Sequence, residues 1–278
     1  MGNLEKIAKE FRSEVFASMI KSRGEKYKWF IRALKSFKYF SQDYLRAEIL
    51  ESSYAVFRRV DDIVDGDFPL SPEYKSSEEF VSQRIDFLDN LDKPVNEIDS
   101  TLLYCANLSN ELGIDFMNEV KYIFSSLLFD SKRYGKKIIF SENELRNHYD
   151  LLDIKGTIRG ALILFDCDPE KLDYLKDLGN ASRIYYNLRD FEEDVSKGFI
   201  NISLEDCEKY NITREKIENY FSAEVRTWFE DQAKKGIQLL ESHRKNISSA
   251  DFNFLPSLTF KLVYEYPAEK YFKKILKD

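Results

Sequence analysis

Apolar residues recur at steps of three and four positions along nearly the whole chain, and no segment alternates apolar and polar residues for long. This spacing is typical of amphipathic α-helices, whereas a half-buried strand would alternate. Glycine and proline interrupt the pattern at Gly66, Pro94, Gly135, Pro169 and Gly198. The pattern predicts helices at residues 4–21, 25–40, 43–65, 76–91, 98–111, 114–134, 141–165, 168–195, 213–247 and 252–276.

The composition favours a single large helical domain. The chain has 278 residues, of which 43% are hydrophobic, so it can bury a sizeable core. Only 10 glycines and 6 prolines are present, which is few for a β-sandwich. No run of Gly, Ser or Pro divides the chain, and no repeat of fixed period is visible. We therefore predict one all-α domain over residues 1–278.

Charge and rare residues exclude several classes of function. A net charge of −7 argues against a nucleic-acid partner, because no basic patch offsets the repulsion. Cys105, Cys167 and Cys207 lack metal-type spacing, and the two histidines, His148 and His243, are too few for a zinc site or a His-based triad. No apolar run approaches 18 residues and the N-terminus is not a secretory signal, so we expect a cytoplasmic protein without a transmembrane segment.

The predicted helix at 43–65 carries acids on one face. Its segment YAVFRRVDDIVDG contains Tyr54, Arg58, Asp61, Asp62 and Asp65. Steps of four, three and four residues place all of these except Asp62 on one side of a helix. We call this set the first acidic stripe.

The predicted helix at 168–195 repeats the same spacing. Its segment RIYYNLRDFEED contains Arg183, Asn187, Asp190 and Asp194 at these steps, and Glu193 precedes the last acid. We call this set the second acidic stripe. Two helices with the same acid spacing make a chance origin less plausible, although most acidic clusters in a chain that is 33% charged are only solvated surface.

The two stripes together indicate a divalent cation. Like charges four residues apart destabilise an isolated helix by roughly 0.2–0.5 kcal/mol per pair. Val60 precedes the first acids, and Ile63 and Val64 lie between them, so this helix is predicted to belong to the core, where unpaired Asp is rare. Ligands that are all oxygen atoms suit Mg²⁺, which is commonly shared with substrate phosphates. The pattern points to chemistry on a diphosphate.

With both stripes identified, the chain resembles the squalene/phytoene synthase family of trans-isoprenyl diphosphate synthases. YAVFRRVDDIVD resembles the family's first aspartate-rich motif and LRDFEED resembles its second, with weaker matches at KSF (35–37) and Gly156-Thr157. The resemblance covers roughly residues 30–265. It implies an isoprenoid-synthase-type helical bundle around a central cavity, in which two prenyl diphosphates condense head to head.

The resemblance also implies a role for each matching residue. The implied ligands of two or three Mg²⁺ ions are Asp61, Asp62, Asp65, Asp190, Glu193 and Asp194. Asn187 is a further candidate ligand whose role is left open, because it lies one residue after the family's Asn position, which Tyr186 occupies. Diphosphate contacts or positions near the reacting carbons are implied for Tyr54, Arg58, Tyr149 and Arg189. Substrate-binding positions are implied for Lys35, Phe37, Tyr186 and Tyr264.

Three cations depart from the family pattern. Arg183 stands where the family has Gln, and Lys155 and Arg159 flank the Gly-Thr pair where small residues are usual. We expect all three to line one side of the cavity. They would either pair with Asp150, Asp153 and the metal-site acids, or bind an anionic group of the substrate.

Several functions fit these residues. The leading hypothesis is an Mg²⁺-dependent enzyme that ionises a prenyl diphosphate, with farnesyl or geranylgeranyl diphosphate as the expected substrate. The alternatives are a class I terpene cyclase, prenyl transfer to a non-prenyl acceptor, and a non-catalytic assembly or binding protein. Use of NADPH is left open, since no G-x-G-x-x-G fingerprint is present. We further expect a monomer or homodimer that touches a membrane surface transiently when it releases an apolar product.

Overall fold

The computed structural model describes residues 2–219, 222–247 and 250–277. The chain is 80% helical and contains no strand within these residues, which confirms the all-α prediction. Ile138 and Phe199 form an isolated parallel β-bridge. Within the described ranges, no helix combines the length and the apolar character needed to cross a bilayer.

Backbone contacts divide the chain into two compact units. The N-terminal unit comprises residues 1–132 and 163–166, and the C-terminal unit comprises residues 133–162 and 167–278. The first acidic stripe lies in the N-terminal unit, and the second lies in the C-terminal unit. That residues 1–278 form one domain stays a prediction.

The first six helices build the N-terminal unit and its boundary. They are α1 (Gly2–Arg23), α2 (Glu25–Ser41), α3 (Tyr44–Val64), α4 (Ser77–Asn90), α5 (Glu97–Leu112) and α6 (Met117–Arg133). The α3 helix begins where the Asp43 side chain accepts a hydrogen bond from the Arg46 N–H at 2.9 Å. It packs against α1, α2 and α5, and Ala55, Val56 and Val60 are fully buried. The first acidic stripe therefore lies on a core helix, as predicted.

A buried ion pair fixes α3 against α1. Arg12 on α1 donates to both carboxylate oxygens of Glu48 on α3, at 3.1 and 3.2 Å, and to the Ser52 hydroxyl at 3.2 Å. All three residues are buried. A bidentate charged contact of this kind defines both the distance and the register between two helices. The contacts that fix the first acidic stripe thus lie about two to five helical turns before its acids.

The C-terminal unit contains shorter elements, among them two π-helices and a 3₁₀-helix. The helices in chain order are α7 (Glu142–Tyr149), a π-helix (Asp150–Ile158), α8 (Arg159–Leu164), a 3₁₀-helix (Pro169–Leu175), α9 (Lys176–Arg189), α10 (Phe191–Lys197), α11 (Leu204–Tyr210), α12 (Arg214–Glu218), α13 (Ala223–Ile247), α14 (Phe254–Phe260), a second π-helix (Lys261–Glu265) and α15 (Tyr266–Ile275). Residues 163–166, at the end of α8 and beyond it, belong to the N-terminal unit.

The α9 helix is the most extensively packed element of the C-terminal unit. It contacts α13, α15 and the first π-helix. The approach to the π-helix is close at Gly179, where a Cβ atom would lie 2.3 Å from Ile154 Cδ1 and 2.8 Å from Ile158 Cδ1. The second acidic stripe therefore starts on a helix whose backbone is held tightly.

The structure corrects the predicted helices of the C-terminal half. The predicted helix at 141–165 is helical from Glu142 to Leu164, but its middle, Asp150–Ile158, is π-helical rather than α-helical. The continuous helix at 168–195 is wrong. It begins as a 3₁₀-helix at Pro169, and it is interrupted at Asp190, whose φ of −97° and ψ of 7° lie outside the helical range. A period of three to four apolar positions does not distinguish these tighter and wider turns from an α-helix.

Three further boundaries differ. The predicted helix at 213–247 is divided into α12 and α13, and the predicted helix at 252–276 is divided by the second π-helix. The α11 helix, Leu204–Tyr210, lies where no helix is predicted. Its start is fixed by the Ser203 hydroxyl, which accepts from the Asp206 N–H at 3.1 Å. A seven-residue helix is too short to produce a clear apolar period.

Candidate active site

The first acidic stripe reaches the C-terminal end of α3. Asp61 and Asp62 lie in the last turn, Asp65 is the C-cap, and that turn contains no base. Carboxylates at a helix C-terminus face the negative end of the helix dipole, which costs about 0.3–1 kcal/mol each. Arg58 offsets this cost, because its guanidinium donates to Asp61 at 2.7 Å and also to Asp62.

The Arg58 side chain has unused donor capacity. Its guanidinium is mostly buried, and its Nε is buried with no hydrogen-bond partner among the described residues. An unsatisfied buried donor costs roughly 1–3 kcal/mol. The first stripe is therefore an acidic cluster with an arginine that has further hydrogen-bonding capacity, and this is an arrangement that suits an anion.

Aromatic side chains surround the residues implied near the reacting carbons in the N-terminal unit. The Tyr54 ring lies 5.2 Å from the Phe30 ring and 6.3 Å from the Phe16 ring. Phe37 is buried with its ring edge-on to Phe165 at 5.2 Å. Lys35 is exposed, and its Nζ lies 5.4 Å from the centre of the Phe16 ring. The roles implied for Tyr54, Phe37 and Lys35 stay predictions.

The second acidic stripe crosses the junction between α9 and α10. At this junction Arg189 donates to both Asp190 carboxylate oxygens, at 2.7 and 2.5 Å, and to the Tyr185 hydroxyl at 3.3 Å. Burial by itself would lower the pKa of Arg189, but the hydrogen bonds to Asp190 and Tyr185 raise it above its ordinary value. Glu193 pairs with Lys197 at 3.1 Å. Each stripe thus pairs an arginine with the first of its acids.

Asp194 is held by a residue that sequence reasoning missed. The Asn201 amide donates to Asp194 Oδ2 at 2.8 Å, while its carbonyl oxygen accepts from Arg133 at 3.0 Å and from the Tyr149 hydroxyl at 3.0 Å. Asn201 and Arg133 are buried. The predicted tyrosine and the predicted acid are therefore linked through one asparagine. No motif in the sequence around Asn201 indicates this role.

A contact between two glycines fixes the segment that carries Asn201. Gly198 has a φ of +88°, and a Cβ atom there would lie 2.7–2.8 Å from the Gly135 backbone. Gly135 N–H donates to the Lys197 carbonyl at 2.9 Å, and Lys137 N–H donates to the Gly198 carbonyl at 3.1 Å. Only glycine fits both the left-handed φ and the close approach. The sequence predicts helix breaks at Gly135 and Gly198, and in the structure the same two glycines also hold their two segments together.

Arg183 pairs with an acid rather than standing alone. It donates to both Asp153 oxygens, at 2.7 and 2.8 Å, and its guanidinium lies 4.8 Å from the Tyr149 ring and 5.8 Å from the Tyr186 ring. Both charged side chains are mostly buried. For Arg183, the geometry favours pairing with Asp153, which is one of the two alternatives left open by the sequence.

Two tyrosines beside the Arg183–Asp153 pair have raised pKa values. Burial raises the pKa of Tyr186, and the nearby Asp153 carboxylate raises it further. Burial also raises the pKa of Tyr264 strongly, with additional contributions from Tyr186 and Asp153. Tyr271, seven residues after Tyr264, donates to the Leu188 carbonyl at 3.1 Å, and burial and Asp190 raise its pKa. The sequence could have indicated Tyr271 as a site residue, because it follows Tyr264 by two helical turns.

A cavity of about 1110 Å³ opens within the C-terminal unit beside α9. Tyr149, Arg183, Asn187 and Asn201 all line it. Asn187 is 9% exposed, and its Oδ1 is buried with no hydrogen-bond partner in the described part of the chain. An acceptor that is buried without a donor is costly, so a cation or a donor from a ligand would satisfy it.

Lys155 and Arg159 do not border this cavity. Lys155 is exposed and Arg159 is half-buried. Their predicted alignment rests on the spacing of an α-helix, but Lys155 lies within the π-helix, where Thr157 donates to the carbonyl of Leu152 at 2.7 Å. The wider turn removes the stacking of positions four residues apart.

Across the described ranges, no three or more His, Cys, Asp or Glu side chains are grouped so that they could hold a metal ion by themselves. Asp61 and Asp62 are instead paired with Arg58, and Asp190 is paired with Arg189. Mg²⁺ keeps several waters and commonly takes only one or two carboxylates together with substrate phosphates. The oxygen donors of the stripes therefore fit Mg²⁺ in kind, although they do not form a complete site by themselves.

Comparison with known proteins identifies the fold. No family model matches the chain, and no curated protein matches it in sequence. Among solved structures, the chain is similar to squalene synthase HpnC from Alicyclobacillus acidocaldarius, with a TM-score of 0.71 and 15% identity, covering 100% of this chain and 95% of that one. It is also similar to a dehydrosqualene synthase in complex with ligand, with a TM-score of 0.58 and 15% identity over 98% and 97% of the two chains. The chain has a squalene/phytoene synthase-like fold, as its two aspartate-rich motifs predict.

Proposed function

We propose that this protein is an Mg²⁺-dependent enzyme that ionises an allylic prenyl diphosphate and transfers the prenyl group, by head-to-head condensation or a variant of it. The observation that carries the proposal is the presence of both acidic stripes, each with its arginine, on a fold shared over the full chain with squalene and dehydrosqualene synthases. A solvated acidic surface would not need this repetition.

The oxygen donors of the stripes would hold the metal. They are Asp61, Asp62, Asp65, Asn187, Asp190, Glu193 and Asp194. The unpartnered Oδ1 of Asn187 is the observation that best supports a cation there. When bound, Mg²⁺ would neutralise the charge that develops on the departing diphosphate.

The chain's own residues supply the rest of the chemistry. Arg58 and Arg189 present guanidiniums beside acids, so a diphosphate with its cations would meet alternating charges. Tyr186 and Tyr264 are neutral phenols near pH 7, as ordinary tyrosines are, and burial raises the pKa of each further. A phenolate would trap an allylic cation, whereas a neutral aromatic ring stabilises it through its quadrupole.

The test is an assay of product and diphosphate release. Purified protein is incubated with geranyl, farnesyl or geranylgeranyl diphosphate and Mg²⁺, and the organic extract is analysed by mass spectrometry. We expect Mg²⁺-dependent diphosphate release, loss of activity with a chelator, and poor replacement by Zn²⁺, because the stripes contain no His or Cys. A product with twice the substrate's carbon number indicates head-to-head condensation, and a single-chain hydrocarbon indicates a cyclase. No release from any substrate would overturn the proposal in favour of a non-catalytic protein.

One observation favours prenyl transfer to a polar acceptor as the second candidate. The Arg183–Asp153 pair places charge beside Tyr149 and the cavity of the C-terminal unit. A second prenyl chain would gain little from a charged wall, whereas a polar acceptor could hydrogen-bond to it. Consumption of farnesyl diphosphate only when a polar co-substrate is added would support this candidate.

A further inference from the structure

The α2 helix has an exposed face that is both aromatic and basic. Trp29, Tyr39 and Phe40 are 66%, 73% and 70% exposed, and Arg32 and Lys35 are also exposed. Steps of three, three and four residues lead from Trp29 through Arg32 and Lys35 to Tyr39, and Phe40 lies eleven residues after Trp29, so the five side chains share one side of the helix. Large aromatic side chains grouped on a surface usually mark an interaction site, unlike apolar residues scattered singly.

The exposed face does not result from a helix that lacks packing. Ile31 and Phe37 are 3% and 6% exposed, and the Phe30 ring contacts Tyr54 on α3 at 5.2 Å. The α2 helix packs against both α1 and α3. It therefore has one face committed to the N-terminal unit and a second face that presents aromatics outward.

The charge of α2 is opposite to that of the whole protein. Its bases are Lys26, Lys28, Arg32, Lys35 and Lys38, and its only acid is Glu25 at the start of the helix. The chain as a whole carries a net charge of −7. The Arg32 guanidinium lies 5.0 Å from the Trp29 ring, and Lys38 Nζ lies 5.0 Å from the Tyr39 ring. Arg32 and Lys38 thus each lie against an aromatic ring of the same helix.

We propose that α2 docks this protein onto an anionic membrane surface. A helix that combines Lys and Arg with Trp, Tyr and Phe on one exposed side is suited to lie in the interface plane, with rings among the headgroups and bases at lipid phosphates. The anionic headgroups complement the bases of α2, whereas the acidic remainder of the chain opposes a long polyanion such as nucleic acid. It locates the membrane contact that the sequence leads us to expect, and vesicle binding tests it without the proposed reaction.

The two tryptophans make the test specific. Trp29 is exposed, whereas Trp228 is 3% exposed in the core of the C-terminal unit. Vesicles of phosphatidylcholine with 30% phosphatidylglycerol should shift the emission of Trp29 to the blue, and brominated lipid should quench it. In Trp29→Ser, the remaining emission from Trp228 should respond to neither. Pure phosphatidylcholine vesicles and high salt should weaken the wild-type response, since the surface attraction is screened.

A co-sedimentation assay adds a matched control. The variant Arg32→Gln/Phe40→Ser should bind anionic vesicles at least about fivefold more weakly, the loss expected for one base near such a surface. The control Lys6→Gln/Val95→Ser removes an exposed base and an exposed apolar residue elsewhere in the same unit and should bind as the wild type does. Circular dichroism checks that both variants are folded. Equal binding by both variants, or a Trp29 blue shift that depends on protein concentration without vesicles, would overturn the proposal, the latter in favour of a second copy of the chain.

Discussion

At the scale of single residues, an arginine at each acidic stripe offsets the repulsion between neighbouring acids. Arg58 contacts two acids of the first stripe, and Arg189 contacts Asp190. The Arg189–Asp190 pair is partly exposed and contributes at most about 1 kcal/mol, whereas Arg58 and Asp62 are mostly buried. Exchanging Arg189 for a cation at Asp190 would therefore cost little.

We predict that Asp61→Asn or Asp190→Asn lowers the rate of diphosphate release by about 100-fold or more, which is the scale seen when a transition-state charge loses one stabilising group. The free energy of unfolding should change by no more than about 1 kcal/mol, because only a partly exposed pair is lost. Steady-state release assays and urea unfolding measure the two quantities. Glu192→Gln, an exposed acid beside the second stripe, serves as the control and should retain full activity.

A second prediction concerns Asn201. Asn201→Ala leaves Arg133, Tyr149 and Asp194 without a shared partner, so the free energy of unfolding should fall by about 1–3 kcal/mol. Tyr149→Phe removes one of these bonds and should cost about 1 kcal/mol. The Mg²⁺ concentration for half-maximal activity should rise in Asn201→Ala, since Asp194 is no longer oriented. If both variants unfold at the same urea concentration as the wild type, the network does not stabilise the fold.

The acids were predictable at this scale and their partners were not. Asp61 and Asp65 follow from spacing along one helix, which the sequence displays directly. Asn201 contacts Tyr149 and Arg133, which lie far from it along the chain, so its role depends on tertiary structure. The pairing of Arg183 with Asp153 was one of two open alternatives, since charge alone does not choose between an internal acid and a ligand.

At the scale of secondary-structure elements, the predicted bounds are accurate where one helix has one apolar face. The α3 helix spans Tyr44–Val64 against a prediction of 43–65. The prediction fails on both sides of α9, where the 3₁₀-helix, the π-helix and the break at Asp190 all preserve a roughly helical apolar period. The orientation of Lys155 and Arg159 could not be predicted for the same reason.

The close contact between Gly135 and Gly198 gives a prediction at the scale of elements. Gly198→Ala should destabilise the protein by more than the roughly 1–2 kcal/mol that a left-handed φ costs, because its Cβ would also collide with the Gly135 backbone. Gly113→Ala is the matched control, with a φ of +66° and no atom within 4 Å of the added Cβ. Thermal and urea unfolding of both variants measure the difference. Equal losses would show that the close approach of the two glycines does not matter.

At the scale of the whole molecule, one buried histidine makes stability depend on pH. Burial lowers the pKa of His243, and this outweighs its contact with the Tyr174 carbonyl at 3.1 Å and the nearby acids Glu265 and Asp177. The unfolded chain then binds a proton at a higher pH than the folded chain does. Stability should therefore fall as the pH drops below about 6.5, the ordinary value for His.

His243→Gln should flatten this dependence. The difference in slope cannot exceed one proton, or about 1.4 kcal/mol per pH unit. Urea unfolding of the wild type and the variant between pH 7.5 and 5 provides the comparison. Identical slopes would mean that His243 is not responsible, whatever the variant's stability at neutral pH.

Ligand binding gives the second prediction at this scale. A prenyl diphosphate and Mg²⁺ added together should raise the melting temperature by more than the sum of their separate effects, because each would supply ligands or charge that the other needs. Differential scanning fluorimetry with each alone and with both measures this coupling. Additive shifts would argue against a shared site.

The π-helix Asp150–Ile158 has a consequence for how this protein can vary in length. A π-helical turn holds more residues than an α-helical one, so the stretch behaves as an insertion absorbed inside a helix rather than in a loop. Deleting one residue within it, such as Leu151, would restore α-helical geometry and rotate Tyr149 relative to the following residues by roughly 100°. Tyr149 would then lose its place between Arg183 and Asn201. Deleting a single codon would thus change one wall of the cavity without replacing any side chain that lines it.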